Sequence, residues 1–213
     1  AGLAVANKME SQLRGMNIAI RNSQDGISLV QTAEAGMSEI SNMLIRMREL
    51  AVQMANGIYE DTPDRANAQL EVTALIDQVT LIAENTRFND VALIDGSFSG
   101  TTIQAGNTTA ETIELSFIDV ASSGLSIDAA TVATQSDATV AIGTMDTALE
   151  TIAGEQAQMG SLVNRLNFSV SNLSKASVMT EQAIGRVMDA DFAQETTNLS
   201  KQQILNQAAT SML

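Results

Sequence analysis

Apolar residues recur at alternating steps of three and four along most of the chain. Towards the C-terminal end Ile142, Met145, Leu149, Ile152, Gln156, Met159, Val163, Leu166, Val170, Leu173, Ser177, Thr180, Ile184 and Val187 keep that spacing without a break. This is the seam of a helix that packs along one line against its partners. At about 1.5 Å per residue the helix runs to roughly 70 Å, longer than a globular core needs, so a rod is predicted over 138–188. Near the N-terminus Met9, Leu13, Met16, Ile20, Ser23, Ile27 and Val30, then Ala33, Met37, Ile40, Leu44, Met47, Ala51 and Met54, predict a second rod. A step of three replaces a four between Val30 and Ala33, which predicts a local overwinding. Asn56-Gly57 predicts the stop. Thr62 as N-cap and Pro63 at the first helical position predict a third helix, with Ala68, Val72, Leu75, Val79 and Ile82 on its seam. The three together predict a mainly α fold, a long antiparallel coiled-coil-like bundle in which Leu44, Met47, Ile152, Met159, Leu166 and Leu173 form the seam.

From Phe88 to about Val120 the period changes to two, Gly96, Gly100 and Gly106 punctuate it, and "TIELSFI" (112–118) alternates polar and apolar. A small β-hairpin region is expected there. Residues 119–137 are small and polar and predict a loop or variable insert that buries little. After Asp189 the pattern resets, and Ser200 is placed to cap a short amphipathic helix carrying Ile204, Leu205, Ala208, Ala209 and Met212. The expected organisation is a two-helix part (1–88), the β-hairpin region with its insert (89–137), the long helix (138–188) and the start of a terminal segment (189–213).

The 213 residues are 45% hydrophobic but only 3% aromatic with one proline, a composition that suits long helices better than a thick globular core. A formal charge of −14 repels phosphate backbones and anionic headgroups, so nucleic acid and membrane insertion are not expected. There is no apolar run of about 18 residues and no cleavable signal at the start. The chain opens on Ala1 directly in a helical pattern, as a trimmed chain would. Cysteine and histidine are both absent. That removes disulfides, the commonest general base, zinc on an H-E-x-x-H helix, and Ser/His or Cys/His nucleophilic schemes. No aromatic framework accompanies a carboxylate pair, so no enzyme and no cofactor are expected. "YEDTPD" (Glu60, Asp61, Asp64) lacks calcium-loop spacing and reads as a solvated helix start. "GSFSG" (96–100) lacks the Gly-Lys-Ser/Thr of a phosphate loop and reads as a turn. The 11 methionines suit adaptable core packing. Ser23, Gln156, Ser177 and Thr180 either set register or are small residues tolerated at a partly wet end.

"RMRELAVQ" (46–53) sets apolar and charged side chains on nearly every face of its helix. Beside the seam runs a second line of Met43, Arg46, Leu50 and Gln53, while Ile45, Arg48, Glu49 and Val52 take the rest. A helix with one partner needs only one apolar stripe. The other faces predict contacts beyond the bundle.

With "AGLAVANKM" (1–9), "NSQDGISLVQTAEAGMSEI" (22–40), "RFND" (87–90), "NRLNFSVSNLS" (164–174) and "DADFAQET" (189–196), that stretch resembles the terminal signature segments of bacterial flagellin, in order along the chain. The resemblance implies an extracellular filament subunit for motility, exported through the flagellar secretion channel without a cleaved signal. It implies as partners other flagellin subunits, the export apparatus, a secretion chaperone, and the cap and hook-associated proteins. Terminal segments before Ala1 and after Leu213 are implied as well. Arg46 and Leu50 match the family's surface for Toll-like receptor 5, and Glu71 does so with one residue inserted between 57 and 62. The implied subunit or receptor interface is Arg46, Arg48, Glu49, Leu50, Gln53 and Glu71, with Leu50 as an exposed central contact. The alternative is a hook-filament junction protein or a secreted coiled-coil adhesin or needle-type protein.

Overall fold

The computed structural model describes residues 2–211, with the side chains of 189–195 and 211 excepted. Its elements are α1 (Gly2–Met54), a wide helical turn at Asp61–Arg65, α2 (Ala66–Asn85), β1 (Arg87–Phe88), β2 (Val91–Ala92), β3 (Thr101–Gln104), β4 (Thr112–Leu115) and α3 (Gln135–Ser211). They form two compact units. The smaller holds Ala1–Ser23, Gln104–Thr112 and Phe168–Leu213, and the larger holds Gln24–Ile103 and Ile113–Asn167. The fold is mainly α with a small β region, as the periodicity predicts.

In the larger unit α2 and α3 both run antiparallel to α1. Arg65 bonds Met54 and Glu71 bonds Arg46, while Gln135 bonds Ala55 and Asp146 bonds Arg48, so each sequence rises as its partner falls. The buried positions of α1 continue the three-four alternation through Gly26, Val30, Ala33, Met37, Ile40, Leu44, Met47, Ala51 and Met54. Those in the smaller unit are Ala6, Met16, Ala19 and Ser23. The buried line therefore runs through Ala19 and Gly26 rather than Ile20 and Ile27, and the expected overwinding between Val30 and Ala33 is not needed. At Gly26 the reason is close approach: a β-carbon would lie 3.3 Å from Ile103 and 3.5 Å from Leu166. The Ser23 hydroxyl donates to the Ala19 carbonyl at 2.8 Å, within its own helix, so it supplies no cross-helix register bond.

On α3 the seam is broader than expected. Met145, Ile152, Met159 and Leu166 are buried, but Ala141, Ala148 and Glu155 are buried too, whereas Leu149, Gln156 and Val163 are half-buried. The segment after β4 reaches this flank, where the Ile118 amide favours the ionised Glu155 carboxyl while burial opposes it more strongly.

The last carbonyls of a helix have no N–H partner of their own. One arginine supplies donors to the last carbonyl of α1 and to two carbonyls of the turn that follows. Arg65, 3% exposed, donates Nε to the Met54 carbonyl at 2.8 Å, Nη2 to Asn56 at 3.0 Å, and Nη1 to Tyr59 at 2.6 Å. Thr62 has the extended backbone of an N-cap (φ −136°, ψ 125°) and Pro63 follows it into helical backbone, as expected, while the wide turn at Asp61–Arg65 delays the regular α-helix to Ala66.

β1 and β2 form an antiparallel pair with Arg87 opposite Ala92 and Phe88 opposite Val91. The two residues between have positive φ, 50° at Asn89 and 63° at Asp90, the tight hairpin turn that Asn and Asp tolerate. β3 and β4 pair separately. Ile113, Leu115 and Phe117 are buried at every second position, matching the alternation of "TIELSFI", and Phe117 stacks on Phe98 with centroids 5.1 Å apart.

Residues 119–137 overturn the expectation of a segment that buries little. Val120, Ala121, Leu125, Ile127 and Val132 are buried, the Ile127 side chain fully. The segment is tied to α2: Thr131 Oγ1 and the Val132 amide both donate to Gln69 Oε1, at 2.9 and 2.6 Å, and Thr80 Oγ1 lies 2.8 Å from Ser122 Oγ. Its few apolar residues are isolated among small ones, so no period exposes them. It ends in a helix N-cap, where the Asp137 amide donates to Thr134 Oγ1 at 3.2 Å and that hydroxyl donates to the Asp137 carboxylate at 2.7 Å. α3 starts there.

In the smaller unit Met16, Ala19 and Leu173 form the core, with Leu13, Ile20 and Ala176 against it. The 104–112 loop is held by Ser169 Oγ to the Ala105 carbonyl at 2.8 Å and Asn22 Nδ2 to the Gln104 carbonyl at 3.3 Å. α3 continues unbroken to Ser211, so Ser200 is helix interior and not a cap. Leu199, Ile204 and Leu205 are exposed, and Met212 lies outside the described residues. Among the described residues no helix is long and apolar enough to cross a membrane, and no acidic cluster has the arrangement to hold a metal ion.

Candidate subunit interface

The predicted seam residues Leu44, Met47, Ile152, Met159 and Leu166 lie in the core of the larger unit and Leu173 in that of the smaller. They are packing residues. The surface residues gather where α1 passes between α2 and α3. Arg46 stands on one flank, its Nε 2.8 Å from Glu71 Oε1 on α2 and its Nη1 3.3 Å from Glu49. Arg48 stands on the other, with Nε 2.5 Å and Nη2 3.4 Å from the two carboxylate oxygens of Asp146 on α3. The Glu71 hydrogen bond raises the Arg46 pKa first, with Glu49 adding to it, and Asp146 does the same for Arg48. Both guanidiniums stay charged at any physiological pH. All four partners are exposed, so these bridges fix side-chain orientation more than they add stability.

Between the two bridges lies a ridge open to solvent. Ile45 and Val52, two turns apart on α1, are 45% and 49% exposed, with Glu49 between them and Gln53 alongside. Gln53 Nε2 reaches the Tyr59 hydroxyl at 3.3 Å. Leu50 is not part of this ridge. It is 5% exposed and belongs to the core, which corrects the expectation of an exposed central leucine. The line Arg46-Leu50-Gln53 borders α2, and α2 roofs its middle member. Sequence reasoning also missed Arg65, whose guanidinium closes the corner below this surface. An arginine in an acidic turn gives no sign of burial unless the uncapped carbonyls of the preceding helix are counted.

The geometry offers charged and apolar groups for binding. Residues 1–99 match the family described as the bacterial flagellin N-terminal helical region, and 142–213 the bacterial flagellin C-terminal helical region. The flagellin of Halalkalibacterium halodurans is 36% identical over 215 residues, covering 100% of this chain and 79% of that protein. The flagellar filament 31.3 kDa core protein of Treponema maltophilum is 34% identical, covering 100% of this chain and 80% of that one. The crystal structure of Bacillus cereus flagellin superposes with a TM-score of 0.65 at 33% identity, over 72% of this chain and 88% of that one. A flagellin and a flagellar filament core protein match this chain over its whole length, and it is a structural subunit of the flagellar filament: the chain belongs to the bacterial flagellin family.

Proposed function

We propose that this subunit is secreted to build the extracellular filament, and that the α1 ridge between the two ion-paired flanks is covered by a neighbouring subunit. The observation that carries the reading is Ile45 and Val52 exposed on a helix whose flanks are already held by Arg46–Glu71 and Arg48–Asp146. Paired flanks present a rigid, partly neutralised rim around an apolar centre, the anatomy of a contact that gains by excluding water. The reading includes no catalytic step. Family resemblance supports delivery by the flagellar export apparatus with a chaperone, growth beneath a cap on hook-associated proteins, and recognition of free subunits by Toll-like receptor 5 through the surface that Arg46, Leu50 and Glu71 match. Leu50 then acts from beneath, by holding α1 against α2.

The test is Val52→Ser and Arg46→Ala in the native filament protein. Both are expected to slow filament growth while the melting temperature of the subunit stays within about 2 °C, since surface changes away from packing cost less than about 0.5 kcal/mol. Growth equal to the native protein in both variants would overturn the reading.

A further inference from the structure

A filament grows without closing only if each subunit presents two different complementary surfaces; a self-complementary patch yields a closed pair instead. Two exposed stripes outside the α1 ridge have that relation. On α3, within the smaller unit, Phe168, Lys175, Met179 and Arg186 follow one another at 7, 4 and 7 residues and share one helical face. Phe168 and Met179 are 75% and 68% exposed, and both cations are exposed as well. On α2, within the larger unit, Leu70, Asp77, Leu81 and Glu84 follow at 7, 4 and 3 residues, again on one face. Leu70 and Leu81 are 71% and 50% exposed, with both carboxylates in solvent. None of the four charged side chains belongs to an ion pair among the described residues.

We propose that the α3 stripe of one subunit docks on the α2 stripe of a second copy of this chain, parallel and in register, with Phe168 on Leu70, Lys175 on Asp77 and Met179 on Leu81. This rests on the chain's role as a filament subunit. Both stripes separate their apolar pair by eleven residues, about 16 Å along a helix, and both place the intervening charge seven residues after the first apolar member. Antiparallel docking would still align the apolar pairs, but it would set Lys175 opposite Ala74, about 4.5 Å along the helix from Asp77. Parallel register is therefore the one that satisfies shape and charge together. Arg186 then lies about one turn beyond Glu84, within reach of a long side chain. The pairing also answers an electrostatic difficulty: copies carrying −14 each repel, and an exposed basic stripe opposite an acidic one makes one orientation of approach favourable.

The experiment measures elongation of filament seeds by the native protein and by Lys175→Glu, Asp77→Lys and the double variant, with melts by circular dichroism as the control for folding. Each single reversal sets like charges opposite one another and is expected to slow elongation about tenfold or more, while the double variant recovers to within about twofold of native. Normal elongation by both single variants overturns the pairing and leaves the stripes to some other partner. Slow singles without recovery in the double variant overturn it equally, because the residues then act separately. Val52→Ser and Arg46→Ala run in parallel keep the two readings apart: normal growth of both beside slowed Lys175→Glu and Asp77→Lys sinks the α1 ridge and keeps the pairing, and the reverse result does the opposite.

Discussion

Replacing Arg65 with alanine should be among the most damaging single changes in the larger unit, although a turn residue in an acidic loop looks expendable. Its guanidinium donates to the carbonyls of Met54, Asn56 and Tyr59 at 2.6 to 3.0 Å and to Asp61 at 2.8 Å, and it is 3% exposed. Asp61 is open to water (65%), so that contact contributes little. The carbonyls decide the magnitude. Each one left buried and unpaired costs about 1–3 kcal/mol, an upper total of about 9 kcal/mol for three. Asn56 is exposed and Tyr59 half-buried, so water replaces part of what they lose, whereas Met54 is buried and keeps the full penalty. A net loss of about 3–4 kcal/mol follows. Arg65→Lys should recover less than half, because one ammonium cannot span three carbonyls. Urea unfolding of the native, Arg65→Ala and Arg65→Lys proteins measures this, and raising the salt to about 1 M should leave the difference intact because the main acceptors are uncharged. A loss under about 1 kcal/mol for Arg65→Ala, or full recovery by lysine, would refute the reasoning.

Leu50→Ala should cost about 2–5 kcal/mol in a denaturant melt because the side chain is 5% exposed, and a melt unchanged from native would return Leu50 to the surface. Ile127→Ala should cost a similar amount, and deletion of 121–136 more, since the deletion also strips Gln69 of its two donors; a mild effect would restore that segment as a free loop. Glu155→Gln should stabilise the protein at neutral pH. Burial raises the Glu155 carboxyl above its ordinary 4.5, so the folded state resists ionisation, and native stability falls as pH rises from about 4.5 through the raised value. The glutamine variant lacks that slope, and equal pH profiles in urea melts at pH 4.5 and 7.5 would refute the assignment. Asp95 has the opposite sign: the Ser97 hydroxyl and amide hold its carboxyl below the ordinary range, so Asp95→Asn should lose stability near neutrality and match the native protein only in acid.

The sequence made the helices legible because their faces repeat over many turns, and it made "TIELSFI" legible because its strict alternation matches the buried Ile113, Leu115 and Phe117. It misled wherever close packing asked for small residues. Ala19, Gly26, Ala141 and Ala148 line buried faces, yet a search for large apolar side chains passes to Ile20, Ile27, Ile142 and Leu149 beside them. It was silent on Arg65 and Glu155, since burial of a charge depends on acceptors and covering elements from distant parts of the chain. In the surface cluster, the Arg46–Glu71 contact requires α2 to fold back along α1, which the short connection between the two predicted helices implied. The Arg48–Asp146 contact, 98 residues apart, had no such local sign.

The crowding of "RMRELAVQ" follows from three neighbours competing for two turns of helix. Met47, Leu50 and Ala51 fill the core, Arg46 and Arg48 tie the flanks to α2 and α3, and Val52 with Glu49 is left in solvent. Buried and exposed residues therefore alternate within a single turn: Glu49 and Leu50 are adjacent in sequence, yet one is open to water and the other is sealed from it. Such interleaving has a mechanical consequence. The exposed ridge cannot shift relative to the core without moving the residues that hold the bundle together, because the backbone carrying Val52 also carries Leu50 and Ala51. A surface built this way is preorganised, so a partner that covers it loses little conformational entropy on the subunit's side, and contact area converts more fully into affinity. That suits a subunit added repeatedly to a growing filament, since a flexible loop would have to be ordered afresh at every addition.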